Sequence, residues 1–100
     1  MTKDVLVGYC NTMRDRKFLW DQSKNEWLKQ VRGFSFDEVV SAHEHDAIID
    51  DIDHPTRKNQ RILVVEIDNF ICAVPYVKDG DIYFLKTIYP SRDLRKIYKA

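Results

Sequence analysis

From Ile82 to Tyr89 the side chains alternate along the chain. Ile82, Phe84 and Ile88 fall on one face, and Tyr83, Leu85, Thr87 and Tyr89 on the other. A period of two is the signature of a strand, because successive side chains of a pleated backbone point to opposite sides. Lys86 falls on the face of Ile82, Phe84 and Ile88, where a cation needs a reason. Pro90 stops the strand, and Ser91 is a suitable N-cap for a short basic helix running on to Tyr98.

Read from the start, the same reasoning divides the rest of the chain. Lys17-Phe18-Leu19-Trp20 predicts a first short strand. Asp21 or Ser23 then caps a helix, and Ser23 with Glu26 has the spacing of a capping box. The pattern carries Trp27, Leu28 and Val31 inward, and Gly33 ends the helix. Ser35 with Glu38 forms a second box, opening a helix lined by Phe36, Val39, Val40 and His43. Ala47 to Ile52 predicts a strand centred on Ile48 and Ile49, followed by a polar loop, His54 to Gln60. Arg61 to Ile67 is apolar on both faces and predicts a well-covered strand. Asp68-Asn69 makes a two-residue turn into the strand Phe70 to Val77. Pro75 lies in that run and implies an edge, a bulge or a strand end. Asp79-Gly80 turns the chain into the last strand.

The expected fold is α+β, in the order β-α-α-β-β-β-β-α. The last four strands form an antiparallel meander, and the helical hairpin packs on one face of the antiparallel sheet. Residues 17–100 read as a single domain. Residues 1–16 precede it, with Val5-Leu6-Val7 as a short strand or part of an arm.

Charge changes this picture in one respect. Charged residues make up 32% of the chain and the formal net charge is zero, which does not advertise a nucleic-acid binder. The charge is unevenly spread, however. Asp37 to Asp53 holds seven acids and no Lys or Arg, whereas Lys86 to the end holds five bases and one acid. A small body with an acidic face and a basic face fits that distribution. The two cysteines, Cys10 and Cys72, make no disulfide framework, and Cys72 lies in an apolar run as a small buried hydrophobe. With no apolar segment long enough to span a membrane and no signal-peptide pattern, the sequence reads as a reduced, cytoplasmic protein.

The candidate chemistry lies where charge interrupts the strands. Lys86, Arg92, Arg95, Lys96 and Tyr98 cluster at the end of the last strand, a set that suits a phosphodiester. A solvated basic helix beside a snorkelling lysine is the alternative. Glu66 shares a strand face with Ile62 and Val64, so it could project from the same side of the meander as Lys86. An acid, a lysine, an arginine and a tyrosine on one floor have the parts for general acid–base work. A structural ion pair is the alternative. His43, His45, Asp46, Asp50, Asp51, Asp53 and His54 gather metal-ligating types, but their spacing matches no zinc or EF-hand pattern, so no metal and no cofactor is expected. His54, before Pro55 at a loop mouth, is the better single candidate.

Two segments resemble a known family. Phe18-Leu19-Trp20-Asp21-Gln22-Ser23-Lys24 fits F-x-W-D-x-x-K, and Gly33-Phe34-Ser35-Phe36 fits the G-V-S-F that follows it. This opening resembles the BrnT family of type II toxins. The predicted element order and the basic strand end with Ser91-Arg92 are similar as well. Leu28, Val31-Arg32, Lys86 and Tyr89-Pro90 depart from the usual family letters, as in a divergent branch.

The resemblance implies a RelE-like ribonuclease toxin, a small sheet with helices on one side, cleaving RNA without a metal. The 2′-hydroxyl would attack its own 3′ phosphate, which restricts the substrate to RNA. Lys86 and Arg92 would supply positive charge to the phosphorane. Tyr98 would stack on a base or donate a proton, and Glu66 or His54 would be the base. Arg61, Ser91, Arg95 and Lys96 would hold RNA. The implied partners are a cognate small antitoxin and RNA, ribosome-bound mRNA included. No membrane partner is expected, and self-association into a homo-oligomer is left open. A catalytically silent module that binds RNA or protein on the same scaffold is the other reading.

Overall fold

The structure is a computed structural model that describes residues 8–11 and 17–98. Strand β1 (Gly8–Asn11) pairs antiparallel with β2 (Lys17–Trp20). Helices α1 (Gln22–Val31) and α2 (Phe36–Glu44) follow. Then come β3 (Ile48–Asp53), β4 (Arg61–Ile67), β5 (Phe70–Asp79), β6 (Ile82–Leu85), the two-residue β7 (Tyr89–Pro90) and α3 (Arg92–Tyr98). The chain is α+β with a mixed sheet in the order β1-β2-β6-β5-β4-β3, and β7 pairs with β5.

The meander from β3 to β6 is antiparallel as expected. The expectation of a wholly antiparallel sheet is corrected by β2, which runs parallel to β6, with Lys17 opposite Ile82 and Leu19 opposite Phe84. The connection from β2 to β6 runs through the α1–α2 hairpin and strands β3 to β5, which is long enough for parallel neighbours. Of the segment before residue 17, Gly8–Asn11 is a strand, whereas Val5-Leu6-Val7 lies outside the described residues.

The helical hairpin is built by its ends. Asp21 caps α1, its carboxylate accepting from the Ser23 amide at 2.9 Å. Gly33 adopts φ +76°, and its amide donates to the Leu28 carbonyl at 2.9 Å, closing the helix in a conformation open to glycine. Ser35 and Glu38 form the expected capping box of α2. A buried asparagine then locks the two helices together. Asn25 is 1% exposed; its Oδ1 accepts from the Phe36 amide at 2.8 Å, and its Nδ2 donates to Asp37 at 3.2 Å.

One core lies between this hairpin and the sheet. Phe18, Trp20, Leu28, Phe34, Phe36 and Val39 pack against Leu63, Val65, Val74, Tyr76, Tyr83, Leu85 and Ile88. The pattern placed Trp27 and Val31 in that core, and the structure corrects it: they are 41% and 60% exposed, and Leu28 and Asn25 are the buried residues of α1. A helix that buries an asparagine turns a different stripe inward from one that buries only its apolar residues. On the sheet's other face Ile62, Val64, Ile71 and Ala73 are buried outside the main core, where α3 packs against β5.

Asn25→Ala leaves the Phe36 amide buried without an acceptor. It is expected to cost about 1–3 kcal/mol, read as a lower midpoint in urea-induced unfolding with an unchanged slope.

Candidate functional site

The predicted strand Ile82 to Tyr89 is not continuous, and Pro75 is the reason. Pro75 is buried inside β5, opposite Ile62 of β4. Its ring nitrogen has no hydrogen to donate toward the β6 side. Strand β5 continues through the proline, and the neighbouring strand gives way instead. Pairing of β6 stops at Leu85 opposite Tyr76, and β7 resumes only at Tyr89 opposite Ala73. The single bond across the gap runs from the Lys86 amide to the Pro75 carbonyl at 2.8 Å. The expected irregularity at Pro75 is therefore present, displaced onto its partner.

The break sets the side chains around it. Lys86 is exposed, with Nζ 5.2 Å above the Phe84 ring, so it shares that residue's face as predicted. Ile88 does not; it is fully buried in the main core, because the irregular residues shift the alternation. Arg32 at the end of α1 fills the gap from the side, its Nη1 donating to the Ile88 carbonyl at 2.9 Å. It also lies 5.1 Å from the Trp27 ring. Beyond β7, the Ser91 amide donates to the Ile71 carbonyl and its hydroxyl caps α3 by accepting from the Leu94 amide at 3.2 Å. Arg92, Arg95 and Lys96 are exposed on α3, and Arg95 reaches the Asn69 carbonyl at 3.1 Å. Among the described residues, neither Lys86 nor Arg92 has a carboxylate partner.

Tyr98 is placed differently from its expected role. Its hydroxyl donates to Asp50 Oδ2 at 2.6 Å, fastening the end of α3 to β3. That bond, with the Asp51 amide, holds the Asp50 carboxyl below its ordinary range, and the same bond raises the Tyr98 hydroxyl. A phenol whose proton is held by a carboxylate is a latch rather than a ready proton donor.

His54 and Arg61 lie elsewhere, at the β3–β4 end of the sheet. Arg61 donates from Nε to Asp51 at 3.0 Å and also bonds Asp53 through Nη1. Tyr76 donates to both Asp51 oxygens at 2.7 and 2.8 Å, and burial pushes its hydroxyl well above the usual phenol range. Arg61 is thus an internal cation of a small polar cluster. Nδ1 of His54 accepts from the Thr56 and Arg57 amides at 3.2 and 3.1 Å. With that nitrogen occupied as an acceptor, the neutral ring carries its proton on Nε2, and no imidazole lone pair is left for a base.

Glu66 stands opposite Ile71 and lines a recess of about 280 Å³ with Glu38, Ser41 and His45 beneath α2. Lys86 is level with Pro75, four residues further along β5 and on its other side. The spacing of a strand separates Glu66 and Lys86 by about 13 Å along β5 alone. Three strand spacings, about 14 Å, separate His54 from Lys86. The expected floor of acid, lysine, arginine and tyrosine is not assembled; Lys86, Ser91 and Arg92 share one segment, which Arg95 and Lys96 continue along α3. Sequence reasoning missed Arg32, which lies in no motif and is brought to the Lys86 segment by the fold alone, and Lys58 and Lys78, which line a separate cleft with His54 and Arg61. Cys72 is buried, and its thiol is pushed up to about 12 by that burial.

No family model, curated protein or solved structure matches the chain. Among the described residues there is no group of three or more metal-ligating side chains, and no helix is long and apolar enough to cross a membrane.

Tyr98→Phe is expected to loosen α3 without unfolding the sheet, seen as faster amide exchange over Leu94 to Tyr98. Because the Asp50 pKa is depressed in the folded state, its contribution is present above the ordinary carboxylate value and is lost as pH falls through the folded one. Protection of α3 in the wild type should therefore decline on acidification in that window, and the Tyr98→Phe variant should show little of that decline.

Proposed function

We propose that the chain is a toxin of the BrnT and RelE-like kind, a metal-independent endoribonuclease that inhibits translation and is held by a cognate small antitoxin. The observation that carries this reading is the segment Lys86–Arg92. The sheet ladder breaks there, and two exposed cations without carboxylate partners among the described residues flank the break. The residues of the opening motif support the fold side of the resemblance. Phe18, Trp20, Phe34 and Phe36 are core, Asp21 caps α1 and Ser35 opens the capping box of α2.

In this reading the RNA backbone lies along residues 86–92. The 2′-oxygen attacks the adjacent phosphorus, the bond to the 5′-oxygen breaks, and the proton lost by the first is regained by the second. The products are a 2′,3′-cyclic phosphate and a 5′-hydroxyl. Lys86 and Arg92 stabilise the dianionic phosphorane, a contribution made mainly where charge accumulates in the transition state. Ser91 fixes the turn that presents Arg92, and Arg95 and Lys96 extend the positive edge along α3. Neither Glu66 nor His54 is near enough to serve as base, so charge stabilisation bears most of the catalysis.

That separation of acid–base groups favours a second reading, in which the same edge grips RNA without cutting it. Induced expression of the wild type beside Lys86→Ala and Arg92→Ala, with total RNA from the same cultures, separates the two. The ribonuclease reading expects growth arrest and RNA cleavage in the wild type, with cleavage reduced on the order of 10²-fold in each variant. Intact RNA with retained, Lys86-dependent RNA binding would select the binding module instead. Intact RNA and no binding would remove both.

A further inference from the structure

At the β3–β4 end of the sheet a cleft of about 470 Å³ is lined by Asp53, His54, Lys58, Asn59, Gln60, Arg61 and Lys78. It is distinct from the Lys86 segment. Tyr83 and Phe84 are successive strand residues and point to opposite faces. Lys78 lies over Tyr83 at 5.6 Å, and Lys86 over Phe84 at 5.2 Å. The cleft therefore opens on the face away from the proposed RNA edge.

Its donors and acceptors are unequally matched. The acid of the lining, Asp53, is bonded by Arg61, which also bonds Asp51. Lys58 and Lys78 have no carboxylate partner among the described residues. The loop is closed on itself by the His54 amide donating to the Gln60 carbonyl at 3.3 Å and the Gln60 amide to the Arg57 carbonyl at 3.1 Å. His54, held through Nδ1 by two loop amides, can offer only its Nε2 hydrogen. Asn59 and Gln60 add side-chain amide donors. One guanidinium serves two carboxylates, so Lys58 and Lys78 leave this end of the sheet with a net single positive charge, beside a set of neutral donors.

We propose that this cleft binds a phosphate group carrying two negative charges, as free phosphate or as the terminal phosphate of a nucleotide or an RNA end. Lys58 and Lys78 match the two charges. The His54 Nε2 hydrogen and the amides of Asn59 and Gln60 match the oxygens, in charge-assisted bonds that are stronger than neutral ones. The cleft has the size of small-molecule sites that admit a nucleoside as well as its phosphate. This proposal does not depend on the ribonuclease reading.

The test follows His54 imidazole and backbone resonances of ¹⁵N-labelled full chain at about pH 8, where a phosphomonoester carries close to two charges. The titrants are sodium phosphate, adenosine 5′-monophosphate, and one oligoribonucleotide with and without a 5′-phosphate, each against sodium chloride at equal ionic strength. With phosphate and adenosine 5′-monophosphate the expected result is a saturable shift confined to residues 54–61 and Lys78. Its Kd should rise about tenfold in Lys58→Ala and in Lys78→Ala, and stay unchanged in Lys86→Ala. Nucleotide or 5′-phosphorylated RNA binding more tightly than phosphate would identify the source as a phosphorylated end; equal affinity would identify free phosphate. No shift beyond that of chloride overturns the proposal. So does an equal shift of residues 54–61 and Lys78 by the 5′-hydroxyl RNA, or a shift that both lysine variants leave intact.

Discussion

Pro75 has no amide hydrogen to give, and it stands inside the longest strand of the sheet. The cost of that missing donor falls on its neighbour. A strand paired along its whole length beside Pro75 would waste an acceptor, so β6 leaves the ladder at Leu85 and β7 rejoins it at Tyr89. The three residues between them acquire separate fates. Lys86 faces solvent on Phe84, Thr87 is half-buried and Ile88 drops into the core. Arg32 from the end of α1 then satisfies the Ile88 carbonyl left over by the break. The exposed cation that attracts attention in the sequence is thus a consequence of a proline eleven residues earlier.

The hairpin of α1 and α2 imposes the second constraint. Asn25 gives up an apolar position on α1 to accept from the first amide of α2, and this rotates the helix so that Trp27 and Val31 point outward. The hydrophobic pattern alone favours the rotation that buries them. A pattern of apolar spacing counts side chains but cannot weigh one buried hydrogen bond against two apolar contacts, and here the bond prevails. The exposed Trp27 is then bracketed by Lys24 and Arg32, at 4.4 and 5.1 Å from its ring, which covers part of its surface with cationic side chains.

Much of the architecture was legible because it is local. The capping box at Ser35, the glycine that ends α1, the turn at Asp68-Asn69 and the meander all depend on residues close together in the chain. The parallel pairing of β2 with β6 was not legible, since nothing in Lys17 to Trp20 names a partner so far away. The site divides in the same manner. Ser91 as a cap and Lys86 beside Phe84 follow from neighbouring residues and were readable. The partners of Tyr98, Arg61 and Tyr76 were not, because Asp50 and Asp51 come from a strand whose register only the folded sheet defines. Within the acidic run, Asp50, Asp51 and Asp53 are engaged by these two hydroxyls and one guanidinium.

The neighbourhood of β2 and β6 bears on how the molecule comes to exist. Residues 17 and 82 are 65 positions apart, yet they pair directly. A contact of that separation closes a long loop and so forms late, after the local helices and turns. During synthesis β2 must wait beside β1 until nearly the whole sheet has been made. The same event that gives β2 its second neighbour also delivers the segment that follows β6. A nascent chain therefore has no basic edge to present until its sheet is all but complete.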